Sequence, residues 1–160
     1  MKFTVAADAC PTDLVSTARA TYEDLAAEEL ASSGRIVTRV LDIVPPKLTL
    51  ALSQSSLWPP NHKLVTITAS ITVTDNCDPN PRVRLVSITS NEPDDGRGDG
   101  HTAGDVQGAA IGTDDRTFQL RAERSGRGTG RVYTVTYEAS DASGNTTTQQ
   151  ATVSVSHNKP

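Results

Sequence analysis

Three stretches of the sequence carry side chains of the kind that bind a divalent cation. Each combines carboxylates with amides or with small turn-forming residues. Ca²⁺ takes about six to eight oxygen ligands, mostly carboxylates and carbonyls supplied by loops. The residue types therefore suggest a calcium site with the ligands Asp75, Asn76, Asp78, Asp114, Asp115, Asp141 and Asn145.

A metal-free interpretation explains the same residues. Asp and Asn stabilise tight turns by accepting hydrogen bonds from nearby backbone N–H groups. The segment Asp141-Ala142-Ser143-Gly144-Asn145 is a good turn sequence without any ion. Both interpretations stay open at this point.

A second acidic group lies in the long polar segment between Asn91 and Asp105. The Gly-spaced segment 96–100 within it suggests a further cation site. Its candidate ligands are Glu92, Asp94, Asp95, Asp99 and Asp105. His62 has too few partners at fixed spacing for a transition-metal site, so we expect it to hydrogen-bond within its own turn.

No catalytic residues are assigned, and no cofactor is required. The sequence lacks a Gly-x-Ser-x-Gly elbow, a phosphate-binding loop and a His-Glu-x-x-His motif. The paired carboxylates Asp94-Asp95 and Asp114-Asp115 lie in polar loops, where nothing would separate their pKa values. We therefore expect a protein that is not an enzyme.

The elements that must position these residues are strands. Leu64–Thr74 alternates apolar and Thr/Ser residues, which is typical of a half-buried antiparallel strand. Similar segments predict a β-sandwich of two sheets with seven strands in all. They are 47–53, 64–74, 82–89, 105–111, 116–123, 131–139 and 146–156. In 82–89 the alternation changes parity, which predicts a β-bulge or burial on both faces.

The heptad Leu57–Lys63 precedes the longest predicted strand and contains the only Trp of the chain. We expect Trp58 to fill one end of the core. The alternative is an exposed Trp58 that stacks on a sugar. Tyr133 is interpreted as a structural anchor, either as a tyrosine corner or through ordinary core packing.

Residues 1–42 form a separate appendage in this interpretation, and residues 43–160 form the sandwich domain. Leu14, Ala18, Tyr22, Leu25 and Leu30 lie near one helical stripe, so the pattern predicts a helix over 11–31. A strand is expected at 2–6 and another at 35–43. A piece this small cannot fold alone, so we expect it to pack on the main body, a neighbouring domain or another molecule.

Five motifs occur in order along the second domain. They are Leu57–Lys63, Asp75–Pro81, Ser90–Pro93, Arg121–Gly126 and Ser140–Asn145. Together they resemble a bacterial immunoglobulin-like module, related to the hyaline-repeat type, over about residues 43–157. The resemblance implies an all-β, immunoglobulin-like antiparallel sandwich of a secreted or cell-surface protein. In that strand order the loops that hold the first set of calcium ligands gather at one pole.

Cys10 and Cys77 are the only cysteines. A pair in a Thr/Gly/Asn-rich β-protein suggests a disulfide formed in an oxidising compartment. The alternative is two unrelated thiols. Relatives of the resembled module often carry further cysteines near Val83, and here Cys77 has no such partner.

The composition excludes some classes of binding partner. The net charge is −4, and no basic stripe indicates nucleic-acid binding. No apolar run approaches the ~20 residues that a membrane span needs. Residues 1–7 are too short and too polar for a signal peptide. A native signal has been cut away or never existed, and the former is favoured.

The resemblance and the residues together predict a non-enzymatic extracellular structural or adhesion module, a spacer or display domain that Ca²⁺ stiffens. One alternative is a module that binds a glycan or a protein. Another is a subunit that assembles with copies of itself by strand addition through residues 1–42. The expected partners are other domains of a larger surface protein or other copies of the chain.

Overall fold

The structure is a computed structural model that describes residues 6, 8–23, 29–96, 100 and 102–156. The chain divides into two compact units, Met1–Val44 and Pro45–Pro160. The sequence placed this boundary between residues 42 and 43. Residues 2–5 of the predicted strand at 2–6 and the candidate ligand Asp99 lie outside the described residues.

The first unit contains a two-stranded antiparallel ribbon. Strand β1 spans Thr12–Glu23 and strand β2 spans Glu29–Val40. Their register pairs Thr12 with Val40 at one end and Glu23 with Glu29 at the other. The predicted helix over 11–31 is therefore wrong.

The physical reason for the error is the spacing of the apolar residues. Leu14, Ala18 and Tyr22 follow one another at intervals of four. Four residues is about one turn of a helix, but it is also an even number, so the same residues share one face of a strand. The β-branched residues of this segment, such as Val15 and Thr17, favour the strand.

Most of the large apolar side chains that the structure describes in the ribbon are exposed, although Val40 at the end of β2 is buried. Leu14 and Val15 on β1, and Ile36 and Val37 on β2, all face solvent in the single chain. Successive residues of a strand point to opposite faces, so both faces of the ribbon present apolar groups. Within the described residues, the ribbon has two strands and no second layer that would cover these side chains.

The second unit is a β-sandwich. Its strands are β3 Lys47–Leu52, β4 Ser56–Leu57, β5 Leu64–Thr74, β6 Arg82–Ser90, β7 Val106–Gln107, β8 Thr117–Arg121, β9 Arg131–Ser140 and β10 Thr146–Val155. One sheet has the order β4-β10-β9-β6 and the other β3-β5-β8-β7. The expectation of an all-β sandwich is confirmed. The sheets hold eight strands instead of seven, because Ser56–Leu57 adds a short strand parallel to β10.

The core lies between the two sheets. Alternate residues of β9 point inward and are fully buried, from Arg131 and Tyr133 to Ala139. From the opposite sheet, Ile67 and Ala69 on β5 and Phe118 and Leu120 on β8 pack against them. Period-two patterning therefore decides which residues form the core.

Two local features position the loops. The register of β6 against β9 shifts between Leu85 and Ser87, which confirms the predicted bulge. The turn before β5 contains a cis peptide bond between Trp58 and Pro59, and His62 has a φ of 61°. Among the described residues, no helix is long and apolar enough to cross a membrane.

Candidate functional site

The first predicted calcium ligands are engaged in turn hydrogen bonds. Asp75 Oδ1 accepts the backbone N–H groups of Cys77 and Asp78, each at 2.9 Å. Asp78 Oδ1 in turn accepts the N–H of Asn80 at 2.8 Å. Asn76 donates its side-chain amide to the sulfur of Cys77. These are the contacts that the metal-free interpretation predicts.

The remaining candidates of this set are also engaged locally. Asp114 forms a two-armed ion pair with Arg116, at 2.9 and 3.0 Å. Asp115 accepts N–H groups from Ala110 and Thr117.

The loop between β9 and β10 follows the same principle. Asp141 accepts both the backbone N–H and the side-chain amide of Asn145, each at 2.8 Å. Burial raises the pKa of Asp141, but hydrogen bonds from Asn145, Gly144 and Ser143 outweigh it and leave the pKa below its ordinary value.

The described carboxylates of the two predicted cation sites do not converge. Among the described residues, no three acidic side chains of either set bring their oxygens within 4.8 Å of one another. The calcium hypothesis therefore stays a prediction that rests on residue type alone.

At the other end of the sandwich, arginines lie among the acidic residues of the second set. The fully buried Arg131 forms ion pairs with the equally buried Asp105 and, at 3.6 Å from Nε to Oε2, with Glu92. Arg121 approaches Asp105 from the adjacent strand, at 3.4 Å from Nε to Oδ1. We call Arg131, Asp105, Glu92 and Arg121 the Arg131 cluster. The guanidinium groups of this cluster neutralise carboxylates of the second predicted cation site, which a metal ion would otherwise have neutralised.

The Arg131 cluster holds the long loop onto the sandwich. Arg131 donates to the carbonyl of Pro93 at 3.2 Å, and its guanidinium carbon lies 5.6 Å from the ring centroid of Tyr133. Glu92 also accepts the N–H of Ser125 at 2.7 Å. The Tyr133 hydroxyl donates to the carbonyl of Arg121 at 2.9 Å. Tyr133 is therefore both a core residue and a polar anchor.

Two carboxyl groups of this region have shifted pKa values of opposite sign. Burial raises the pKa of Asp105, and the favourable charge of Arg131 does not fully offset it. The N–H groups of Gly104 and Asp105 bind the Asp94 carboxylate and lower its pKa. Asp94 thus closes the loop by binding its own backbone, and Asp95 has a left-handed φ of 56° in the same turn.

A cavity of about 440 Å³ opens beside this cluster. It is lined by Ile88, Glu92, Asp94, Asp105, Arg131 and Tyr133, among others. Asp105, Arg131 and Tyr133 are buried and bonded to one another or to backbone. The charges on its wall are therefore engaged in structural contacts.

His62 binds the sandwich from the turn before β5. Its Nδ1 lies 2.7 Å from Oε2 of Glu123, a carboxylate with no exposed surface. Thr102 donates to the same oxygen. The other oxygen, Oε1, has no hydrogen-bond partner among the described residues. His62 thus links the Trp58 turn to the end of the long loop.

Trp58 does not fill the core, and the expectation that it does is wrong. Its side chain is 41% exposed, whereas the preceding Leu57 is only 1% exposed and packs inside. Because Pro59 follows directly and the chain turns, only one of the two large residues points inward. Trp58 instead lines an open cavity of about 420 Å³ with Gln54, Asn61, Lys63 and Thr66.

Both cysteines are oxidised. Cys10 and Cys77 are each disulfide-bonded, and no described cysteine is free.

Sequence reasoning missed Arg131, Arg121 and Glu123. The signal that could have found Arg131 is the alternation of β9, because Arg131 lies on the same inward face as Tyr133 and Val135. A charge on the buried face of a strand requires an opposite charge nearby.

Comparison with known proteins adds no assignment: no family model, no curated protein and no solved structure matches this chain.

Proposed function

We propose that this chain is a non-enzymatic, extracellular structural or adhesion module built on an immunoglobulin-like sandwich. In that fold four strands form one sheet in the order A, B, E, D, and C, F and G form the other. The sheet β3-β5-β8-β7 and the strands β6, β9 and β10 have this arrangement. The motif Leu57–Lys63 supports the same assignment from the sequence.

The observation that carries the proposal is the Arg131 cluster. A catalytic site leaves reactive groups facing a substrate cavity. Here Asp105 and Arg131 are buried against each other, and Glu92 and Asp94 bind backbone N–H groups. These charges stiffen a long loop, which suits a module that spaces, displays or adheres.

Two further parts of the proposal concern the location of the protein and the stiffening of its loops by Ca²⁺. Disulfide-bonded cysteines support a secreted or cell-surface location, since such bonds persist in oxidising compartments. Ca²⁺ would stiffen the acidic loops through carboxylate oxygens. Thermal melting in millimolar Ca²⁺ and in chelator tests this part, and equal melting temperatures would exclude a stiffening role.

The mechanical part is tested by pulling single molecules of the full chain from their ends. A spacer module should resist force and then unfold in one cooperative step, because its two sheets share one core. Arg131→Ala should lower the unfolding force, since it frees the long loop. Gradual extension without a force peak would contradict the proposal.

A specific observation favours a second candidate function, the binding of a glycan or protein ligand. Trp58 is exposed, and the amide and ammonium groups of Asn61 and Lys63 line the same cavity. Aromatic walls with a few polar groups are typical of ligand sites.

A glycan array with the wild type and Trp58→Ala separates the two functions. Binding that disappears in Trp58→Ala and survives in Ile111→Ala would establish the ligand site. Ile111 is a matched control because it is an exposed apolar residue elsewhere on the sandwich. The spacer function predicts that no binding depends on Trp58.

A further inference from the structure

The ribbon of β1 and β2 confines its charged residues to one face by register. Even-numbered residues pair with even-numbered ones, and odd with odd. Neighbouring residues of a strand lie on opposite faces, so the two sets occupy different sides of the ribbon. The even positions contain no charged residue in either strand. All the charges of the ribbon are at odd positions: Asp13, Arg19, Glu23, Glu29, Arg35 and Arg39.

Strand β2 also has an available edge. Within the described part of the chain it pairs only with β1. The residues from Gly34 to Arg39 are all exposed in the single chain. An exposed edge of this length is a template for pairing with another strand.

We propose that two copies of this chain pair through β2, antiparallel and edge to edge, about a two-fold axis at Gly34. In this register Glu29 of each copy lies opposite Arg39 of the other, and Ala31 lies opposite Val37. The product is a four-stranded sheet with one uncharged face. The pairing makes the self-assembly alternative specific, since the partner is a second copy of the chain and the edge is that of β2. It does not depend on the function of the sandwich.

The charged residues of the ribbon favour pairing through the edge of β2 over pairing through the edge of β1. Pairing β1 with β1 of a second copy about Ala18 would place Asp13 opposite Glu23 twice, and like charges directly opposite are destabilising. Pairing about Thr17 would give no pair of opposite charges. Pairing β1 with β2 of a second copy in the ribbon's own register gives one attractive pair, Asp13 with Arg39, and one repulsive pair, Glu23 with Glu29. Among the registers that pair nearly the whole strand and keep the charged residues on one face, only the β2 pairing gives two attractive pairs and none that repel directly.

Charge also disfavours the registers next to the proposed one. Sliding the two β2 strands by two residues one way puts Arg35 opposite Arg35, and sliding them the other way removes the Glu29–Arg39 pairs. A slip by one residue mixes charged and uncharged faces. In the proposed register the two Arg35 residues are only diagonal neighbours, at about 7–8 Å, where repulsion is weaker.

The first test uses complementary charge reversal in the full-length chain. Glu29→Arg and Arg39→Glu each turn both attractive pairs into repulsive ones, so each variant alone should dimerise about 10- to 30-fold more weakly. An equimolar mixture should form a heterodimer with near wild-type affinity, because every pair across the interface is attractive again. Sedimentation equilibrium measures all four samples.

The matched control is Arg82→Glu, which makes the same charge change at an exposed position on the sandwich. It should leave the dimer unchanged. A wild type that stays monomeric at several hundred micromolar overturns the proposal, and so does a mixture that remains monomeric while circular dichroism shows both variants folded. Single variants that dimerise like the wild type would place the interface elsewhere.

A second test locates the two-fold axis. A Cβ at Gly34 would meet no atom of its own chain within 4 Å, so Gly34→Cys fits without strain. Residues directly opposite in an antiparallel pair have Cα atoms about 4.5–5.5 Å apart, within the range of a disulfide. Gly34→Cys should form a covalent dimer under mild oxidation at least tenfold faster than Thr38→Cys, which lies far from the axis. Equal rates would exclude the register.

Discussion

The ribbon strands are about as long as the longest strand of the sandwich, but the two regions differ in whether their apolar and charged side chains are buried. In the sandwich, Ile67 is fully buried and even the charged Arg131 is inside with its partners. In the ribbon, Ile36 is 66% exposed. The sandwich has two sheets that cover each other, whereas the described ribbon has one layer of two strands.

The comparison teaches that alternation alone does not create a core. An isolated two-stranded ribbon is marginally stable in water, and apolar residues stabilise it only when something covers them. The described ribbon therefore exposes apolar side chains of the kind that the sandwich buries between its sheets. Three measurements test this difference, in order of decreasing effect.

The largest effect is expected from removing the buried cation of the Arg131 cluster. Arg131→Ala leaves Asp105 and Glu92 without their principal counter-charge and should lower the free energy of unfolding by about 3–5 kcal/mol. The matched control Arg84→Ala removes an exposed pair with Glu138 and should cost no more than about 1 kcal/mol. Urea denaturation followed by circular dichroism measures both.

A further variant sharpens this result. The double substitution Arg131→Met with Asp105→Asn removes both charges and should recover part of the loss, since an uncharged pair needs no counter-charge. Equal costs for Arg131→Ala and Arg84→Ala would show that the cluster is not structural.

The second measurement compares one residue type in the two regions. Ile67→Ala creates a cavity in the core and should cost about 2–5 kcal/mol. Ile36→Ala removes a solvent-exposed side chain and should change the unfolding free energy of the sandwich by less than about 0.5 kcal/mol. Trp58 fluorescence reports unfolding of the sandwich in both variants. A comparable loss for Ile36→Ala would mean that the ribbon face is covered within the single chain.

The smallest effect concerns a buried phenol. Burial raises the pKa of Tyr137 to about 12, above its ordinary value of 10.0, and the hydroxyl donates to the Asp115 carbonyl at 2.5 Å. The folded state favours the neutral phenol, so this contribution is complete below pH 10 and is lost as the pH rises through about 12. Tyr137→Phe should cost about 1 kcal/mol at neutral pH.

The same variant should also lose stability less steeply between pH 10 and 12 than the wild type. Denaturant midpoints measured across that range test the expectation. If the denaturant midpoints of the two proteins fall equally with pH, the loss of stability at alkaline pH does not come from Tyr137.

Much of the sandwich was predictable, because its signals are local. Alternation in Leu64–Thr74 fixed which residues of that strand face the core, and the parity change in 82–89 predicted the bulge. The acidic site could not be predicted in this way. Asp105 and Arg131 lie far apart in sequence, and only the folded loop brings them together.

What the sequence determined by itself is the all-β character of residues 45–156 and the inward face of the main strands, since both follow from residue type and a period of two. Tertiary structure decided the rest. The spacing in residues 11–31 fits a helix or a strand equally, and pairing with β2 selected the strand. The turn at Pro59 directed Leu57 inward and left Trp58 exposed, and the packing of two sheets turned a group of carboxylates into partners for a buried arginine.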